Sequence, residues 1–280
     1  AIVSGPVDGL YSLTCTEAHL PEVYYYWANG NSFEGTYCSL AEPFNKTWLC
    51  DGEYIDLYKN LTLTEDISGQ LTSGSFYFNF GDYTVTKGEY SIKLNTGVSV
   101  VTDKQADIFA AATGAVLTET QNNGTHTYSS VAAAASCGGV YYQTLAQAIA
   151  AAPDNTETTI VLQQNVDLSA NVTIPATKKV ILDLNGNSIS CGQYNIGVEG
   201  ELTVQSESAG GGFMTAAHTD NSPMLYISGT SAKLTLKSGT YHMPAGCRNG
   251  RMSARSSAYS SSTARGCGSY PCGSSPRNGR

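Results

Sequence analysis

The residues that could catalyse a reaction in this chain are few and scattered. A sugar hydrolase needs two carboxylates, roughly 5 to 10 Å apart, around the bond that it cleaves. The sequence offers Asp51, Glu53 and Asp56 in one stretch and Asp183 alone in the segment LDLNG. Because Asp183 precedes an Asn-Gly pair, we expect it to lie at an outward strand position or to cap that turn rather than to catalyse.

Other kinds of catalytic or metal site lack their motifs. The nucleophile motif G-x-S-x-G is absent, no C-x-x-C occurs, and glycines 210–212 lack the lysine of a phosphate loop. The histidines lie far apart, which favours surface or turn positions for them: His19, His126, His218 and His242. The sequence therefore predicts a protein that is not an enzyme and that carries no cofactor and no metal.

An aromatic run is the best candidate for ligand binding. Tyr24, Tyr25, Tyr26 and Trp27 are contiguous, so in a strand two of them would face the core and two the solvent, where flat rings stack on sugars. The interpretation that we favour is an aromatic edge packed against the next coil. The binding interpretation predicts a platform for glycans or host-surface components.

An internal repeat explains how these residues are positioned. Residues 37–67 reappear at 142–172 with an offset of 105, which becomes 104 further along. Apolar and polar residues alternate in L-T-L-T, V-D-L-S, F-N-F and L-D-L, which predicts short strands with one buried face. Strands follow one another about every 20 residues, the length of one coil of a solenoid. We expect the matched Asn60 and Asn165 to bond neighbouring coils.

A short helix is predicted at the start of each repeat. Thr144 and Gln147 form a capping box before LAQAIAAA, and Ser39 and Glu42 form the same S-x-x-E box in the first copy. Such a helix would cover the open end of a stack of sheets.

The second copy resembles a known kind of protein segment. Between residues 137 and 242 the chain reads YYQTLAQAIAAA, TIVLQQNVDLSANVTIPATKKVILDLNGNSIS, GELTVQSESAGGG and AKLTLKSGTY. This series resembles a recurring segment of large secreted and surface-attached bacterial proteins, similar in fold to pectate lyases; residues 24–128 resemble it more loosely. The resemblance implies a mainly β, right-handed parallel β-helix, an extracellular or cell-surface location, and no activity. Pectate-type lyases commonly use arginine as the base, and residues 1–247 contain none.

The repeat predicts five regions. These are an N-terminal lead-in at 1–23, a first β-helix-like unit at 24–128, a linker at 129–136, a second unit at 137–245 and a tail at 246–280. Two separate α+β or β-sandwich domains in tandem are the alternative, because a period of 105 residues also fits whole domains. The chain starts at Ala1 without a signal segment, which predicts a fragment of a longer protein.

Charge is divided unevenly along the chain. Residues 1–247 contain nine lysines and 23 acidic residues, so a nucleic-acid partner is disfavoured. The last 33 residues contain all six arginines, many serines and no acidic residue. This composition predicts a disordered tail, either a basic arm for an acidic partner or, as we favour, the product of a reading-frame shift. No apolar run of 18 residues occurs, so no transmembrane segment is predicted.

Three cysteines near the start of the chain leave their pairing open. Cys15, Cys38 and Cys50 form either a disulfide or buried thiols.

Two functional hypotheses follow from repetition without a catalytic constellation. The first is a non-enzymatic, extracellular β-solenoid segment of a bacterial surface or secreted protein, which acts as a spacer or as an adhesin for glycans or host material. The alternative is a polysaccharide lyase or glycoside hydrolase of β-helix fold whose active coil is unrecognised or missing.

Overall fold

The structure is a computed structural model that describes residues 2–7, 10–14, 23–26, 33–37, 39–45, 51–208, 210–214, 224–242 and 253–254. It is mostly β, with 47% strand and 6% helix, and it forms a parallel β-solenoid of about seven turns. This confirms the predicted fold class. The chain divides into two compact units, Ala1–Ala148 and Ile149–Arg280.

The first unit combines parallel coils with antiparallel hairpins. Its elements are β1 (Ile2–Val7), β2 (Leu10–Thr14), β3 (Val23–Tyr26), β4 (Phe33–Tyr37), α1 (Ala41–Asn45), β5 (Tyr54–Leu57), β6 (Leu61–Thr62), β7 (Ile67–Ser68), β8 (Gly74–Asn79), β9 (Val85–Thr86), β10 (Ile92–Leu94), β11 (Val98–Thr102), β12 (Phe109–Ala111), β13 (Ala115–Asn122), β14 (Thr125–Ala132), β15 (Ala135–Cys137), β16 (Val140–Tyr142) and the start of α2 (Leu145–Ala151).

Three parallel stacks make up the coils of this unit: β5-β8-β11, β6-β9 and β7-β10-β12. The hairpin β3/β4 pairs antiparallel to β5, and the hairpin β13/β14 pairs antiparallel to β11. A hairpin therefore ends the parallel stacking at each side of the first stack, where an unpaired strand would otherwise expose its backbone.

The second unit is built from parallel coils. Its strands are β17 (Glu157–Leu162), β18 (Val166–Asp167), β19 (Val172–Ile174), β20 (Lys179–Asp183), β21 (Ser188–Ser190), β22 (Ile196–Val198), β23 (Glu201–Gln205), β24 (Gly212–Met214), β25 (Leu225–Ile227), β26 (Lys233–Leu236), β27 (Thr240–His242) and β28 (Ser253–Ala254). Three parallel stacks, β17-β20-β23-β26, β18-β21-β24-β27 and β19-β22-β25-β28, form its walls.

The core of each unit consists of rows of apolar side chains that stack from coil to coil. In the second unit Ile160, Leu182 and Val204 lie in register on adjacent strands and are at most 2% exposed. In the first unit Ile55 and Phe78 form the matching row, and both are fully buried. Burial of each such side chain contributes roughly 1.5 to 3 kcal/mol, and the predicted alternation of buried and outward residues is confirmed.

Side-chain acceptors at the turns join each coil to the next. Asn60 Oδ1 accepts the backbone N–H of Thr84 at 2.9 Å, and Asn165 Oδ1 accepts that of Ser188 at 2.9 Å, 23 residues further along the chain. The expected role of these two asparagines is confirmed.

The same device recurs at a second pair of matched positions. Asp66 Oδ1 accepts the N–H of Ser91 at 2.9 Å, and Asn171 Oδ1 accepts that of Asn195 at 3.1 Å. Buried or half-buried backbone N–H groups need such partners, so the repeat preserves acceptor side chains at these turns.

The two helix caps differ. Thr144 and Gln147 exchange reciprocal side-chain to backbone bonds of 3.0 and 3.2 Å, so the predicted capping box of α2 is confirmed. At α1 the hydroxyl of Ser39 accepts from the N–H of Ala41, and the N–H of Glu42 bonds the carbonyl of Ser39. The predicted box is therefore replaced by a tighter turn at this short helix.

The predicted linker and tail meet the structure only in part. Residues 129–136 lie in β14, in a two-alanine connection and in the start of β15. Of residues 246–280, the described ones are Ser253 and Ala254, which form β28 and pair with β25. The cysteine group at 15, 38 and 50 lies outside the described residues, whereas Cys137 and Cys191 are buried.

Candidate functional site

The predicted aromatic platform lies on β3, beside the first stack of the first unit. Tyr24, Tyr25 and Tyr26 belong to this strand, and Trp27 lies outside the described residues. The antiparallel register pairs Tyr26 with Tyr54 of β5 and Tyr24 with Asp56. The structure therefore places the predicted strand beside Tyr54 and Asp56 of β5.

Tyrosines occupy an outward row on β5 and β8. Tyr54 and Tyr77 lie in register, at positions that alternate with buried Ile55, Phe76 and Phe78. Their rings stack with centroids 4.2 Å apart and planes 7° from parallel. Partial burial raises the pKa of Tyr54, and the charge and hydrogen bond of Tyr77 raise it further. Stacking covers one face of each ring and leaves the hydroxyl groups at the ring edges.

A carboxylate–amide pair lies in the next outward row. Asn79 Nδ2 donates to Asp56 Oδ1 at 2.6 Å across β8 and β5. Partial burial raises the pKa of Asp56; the hydrogen bond from Asn79 opposes this, and the negative charge of Asp103 adds to it. The pair thus presents a carboxylate that is only partly solvated beside aromatic rings.

Two side chains from the following coil hold the turn after β8. Asp103 accepts the N–H groups of Phe80 and Gly81 at 2.8 and 2.9 Å. Lys104 Nζ donates to the carbonyl groups of Gly81 and Tyr83 at 2.7 and 3.0 Å. Because Asp103 bonds N–H groups of this turn and Lys104 bonds its carbonyl groups, the backbone that carries Tyr83 is held in place.

A second pair of tyrosines lies at this corner of the coil. The rings of Tyr58 and Tyr83 are 6.5 Å apart and tilted by 44°, and Tyr58 is 38% exposed. This geometry leaves ring surface open to solvent, in contrast to the stacked pair. We call the outward group on β5, β8 and their following turns the tyrosine–aspartate patch: Tyr54, Asp56, Tyr58, Tyr77, Asn79 and Tyr83.

The second unit does not repeat this patch. At the matched outward positions it has Thr159 and Ile181 for the stacked tyrosines, and Gln163 and Asn187 for the corner tyrosines. The carboxylate–amide row becomes Val161 and Asp183, in register on β17 and β20.

Asp183 caps the turn that follows its strand. Its Oδ1 accepts the N–H of Asn185 at 2.9 Å and that of Glu207 at 3.2 Å, and the residue is 6% exposed. The prediction of a turn cap is confirmed, because the N–H of Asn185 in the following turn and that of Glu207 in the next coil both hold the carboxylate.

The other carboxylates named from the sequence do not converge on one point. Asp51 accepts the N–H of Ser75 at 2.6 Å, and Glu53 is buried. Asp56 alone of the three belongs to the patch. Sequence reasoning missed Tyr54, Tyr58, Tyr77 and Tyr83, although the outward positions of the 105-residue repeat carry the signal that would have found them.

One of the four histidines proves to be internal. His126 on β14 is 8% exposed, and its Nδ1 lies 2.8 Å from Glu119 Oε1. The hydrogen bond from His126 is the main cause that lowers the pKa of Glu119. The expected surface or turn position of His126 is therefore wrong, because the antiparallel register of β14 with β11 turns this residue toward the core.

Within the described residues, no group of three His, Cys, Asp or Glu side chains is placed to hold a metal ion. In the same residues, no helix is long and apolar enough to cross a membrane. No family model, no curated protein and no solved structure matches the chain.

Proposed function

We propose that the chain is a non-enzymatic, extracellular β-solenoid segment of a bacterial surface or secreted protein, with a right-handed β-helix of the pectate-lyase kind. It acts as a spacer, and the tyrosine–aspartate patch binds glycans or host-surface components.

The stacked Tyr54 and Tyr77 beside the Asp56–Asn79 pair carry this proposal. Ring edges, hydroxyl groups, a carboxylate and an amide lie together on the outward side of a sheet, and sugars are recognised by this combination of apolar and hydrogen-bonding groups. The matched positions of the second unit hold no tyrosine and no carboxylate–amide pair, so the solenoid itself does not require the patch.

Binding is tested with the full chain on an array of immobilised glycans and host extracellular material. We expect Tyr58→Ala together with Tyr77→Ala to weaken retention roughly tenfold or more, because each lost aromatic contact is worth about 1 kcal/mol. The matched control changes Gln163 and Ile181 to Ala in the second unit. Equal losses in the two double variants, or no retention of any glycan by the unaltered chain, would remove the support for binding.

An enzyme is the second candidate, and Asp56 is the residue that favours it. Polysaccharide hydrolases use a carboxyl group whose pKa is raised by its surroundings as the general acid, and the pKa of Asp56 is raised by partial burial. Product release from a panel of acidic and neutral polysaccharides, abolished by Asp56→Asn and retained in Asp183→Asn, would favour the enzyme over the binding protein.

A further inference from the structure

We infer that the tyrosine–aspartate patch selects sugars with a free amino group, which is positively charged, over N-acetylated or acidic sugars. This inference rests on the proposed glycan binding and adds the class of ligand. Its basis is the carboxylate of Asp56, which has no cationic partner in the described structure and lies on a surface rich in tyrosines and acidic residues.

Asp56 lacks a cation in the described structure. Asp56 accepts a hydrogen bond from the neutral amide of Asn79, and the like charge of Asp103 adds to the rise of its pKa. Lys104, from the coil that also carries Asp103, is engaged elsewhere, since it bonds the carbonyl groups of Gly81 and Tyr83. An ammonium group of a ligand would form the charge-assisted hydrogen bond that no lysine of the described residues supplies.

The open tyrosines add a second attraction for an ammonium group. Tyr58 is 38% exposed and stands tilted to Tyr83, so part of its ring surface is open beside the row of Asp56. A cation over an aromatic ring is attracted by the negative face of the ring, and the apolar face of a sugar ring packs on the same surface. One amino sugar can therefore contact both the carboxylate of Asp56 and the exposed ring of Tyr58.

The net negative charge of the surrounding unit also favours a cationic ligand. Residues 51–148 contain ten carboxylates against four lysines, so the field attracts cations and repels uronate or sulfated sugars. The patch itself contributes Asp56, the turn after β8 contributes Asp82, and the following coil contributes Asp103. An acidic polysaccharide would have to bring its carboxylates against these groups.

Ionisation of Asp56 provides a readout specific to this site. Burial raises the pKa of Asp56 above the ordinary value of 3.8, with Asn79 opposing and Asp103 adding to the shift. Tyr54 and Tyr77 lie in the row adjacent to Asp56, and Tyr24 on β3 is the register partner of Asp56. Binding of an ammonium group is expected to fall on acidification with a midpoint above 3.8.

The test uses calorimetry with the full chain at about pH 6, below the ordinary pKa of an amine. It compares three trimers, those of glucosamine, N-acetylglucosamine and galacturonate. We expect the glucosamine trimer to bind at least about tenfold more tightly than the others, because a hydrogen bond to a charged group is worth about 1.5 to 3 kcal/mol. Asp56→Asn should abolish this preference. Asp167→Asn, which removes one exposed charge from the second unit, should retain it.

The outcomes separate the inference from the proposed function. Equal binding of the amino and N-acetyl trimers, tighter binding of galacturonate, or equal effects of Asp56→Asn and Asp167→Asn would overturn the inference and leave glycan binding standing. Failure of every trimer and of the glycan array would overturn both. Should Asp56→Asn not fold, the pH profile of the unaltered chain decides, since an affinity that is constant down to pH 3.8 contradicts the role of Asp56.

Discussion

The two units share their inner rows and differ in their outer ones. Phe78 and Leu182 occupy matched, buried positions, and the acceptors Asn60 and Asn165 make the same bond to the next coil. On the outside, stacked Tyr54 and Tyr77 correspond to Thr159 and Ile181. The buried positions and turn acceptors are needed to stack coils, so the outward positions are the ones free to acquire a ligand.

The outer face of the second unit balances its own charges. Residues of alternating charge lie in register on its successive strands: Glu157, Lys179, Glu201 and Lys233. The Nζ atom of Lys179 lies 3.2 Å from Oε1 of Glu201. Such a ladder of opposite charges stabilises a sheet modestly and needs no further partner. The first unit, by contrast, leaves Asp56 without a cation, and this difference is why we assign ligand binding to the first unit.

Substitution of the matched core residues tests whether the scaffolds are equivalent. We expect Phe78→Ala and Leu182→Ala each to lower the free energy of unfolding by about 2 to 5 kcal/mol, because both leave a cavity in a stacked row. The measurement is urea unfolding of the full chain followed by circular dichroism. A loss below about 1 kcal/mol at one of the two sites would mean that the inner rows of the two units differ in kind.

The turn acceptors should give a smaller effect that is equal in the two units. Asn60→Ala and Asn165→Ala remove the acceptors for the N–H groups of Thr84 and Ser188, so we expect a loss of about 1 kcal/mol each. Hydrogen exchange should show faster exchange at those two amides.

The chain offers a matched control pair for this experiment, Thr64→Ala and Ser169→Ala, which change exposed residues of the next turns, after β6 and β18. If the control pair destabilises as much as the asparagine pair, the turn bonds do not carry the effect.

The sequence was sufficient to predict the scaffold because the scaffold rests on local patterns. Alternation of apolar residues, the Thr144–Gln147 cap and the turn acceptors are each visible within a few residues. The patch could not be predicted in the same way, because Tyr54 and Tyr77 meet only through the register of two coils. Burial of His126 likewise depends on the antiparallel pairing of β14 with β11, which the repeat does not contain.

Removal of the stacked pair should sharpen the contrast between the outer faces. Tyr54→Leu keeps an apolar side chain and loses the ring stacking, so we expect a loss of about 0.5 to 1 kcal/mol. Thr159→Leu, at the matched position of the second unit, should lose nothing. Ultraviolet titration of the Tyr77→Leu variant should also show a lower pKa for Tyr54, because Tyr77 is one cause of its raised value. An unchanged titration would contradict the contact between the two hydroxyl groups.

The smallest expected effect is a difference in acid sensitivity between two ion pairs. Lys93 lies 2.6 Å from Asp66 in the first unit, and Lys178 lies 2.9 Å from Asp154 in the second. The pKa of each aspartate is lowered, first of all by the hydrogen bond from its lysine. A lowered pKa in the folded state means that the stabilisation is present above the ordinary pKa of aspartate and is lost as the pH falls through the lowered value.

Asp66→Asn and Asp154→Asn should therefore each flatten the dependence of stability on pH in the acid range, measured by urea midpoints between about pH 3 and pH 7. We expect the larger change for Asp154, because Lys178 is only 12% exposed and would lose its only counter-charge in the described structure. Lys178 is also held in place by the carbonyl groups of Ala150 and Ala152 at the end of α2. Lys93 is 43% exposed and regains water when Asp66 is removed. A larger change for Asp66 would mean that solvent access to the lysine does not decide the strength of these pairs.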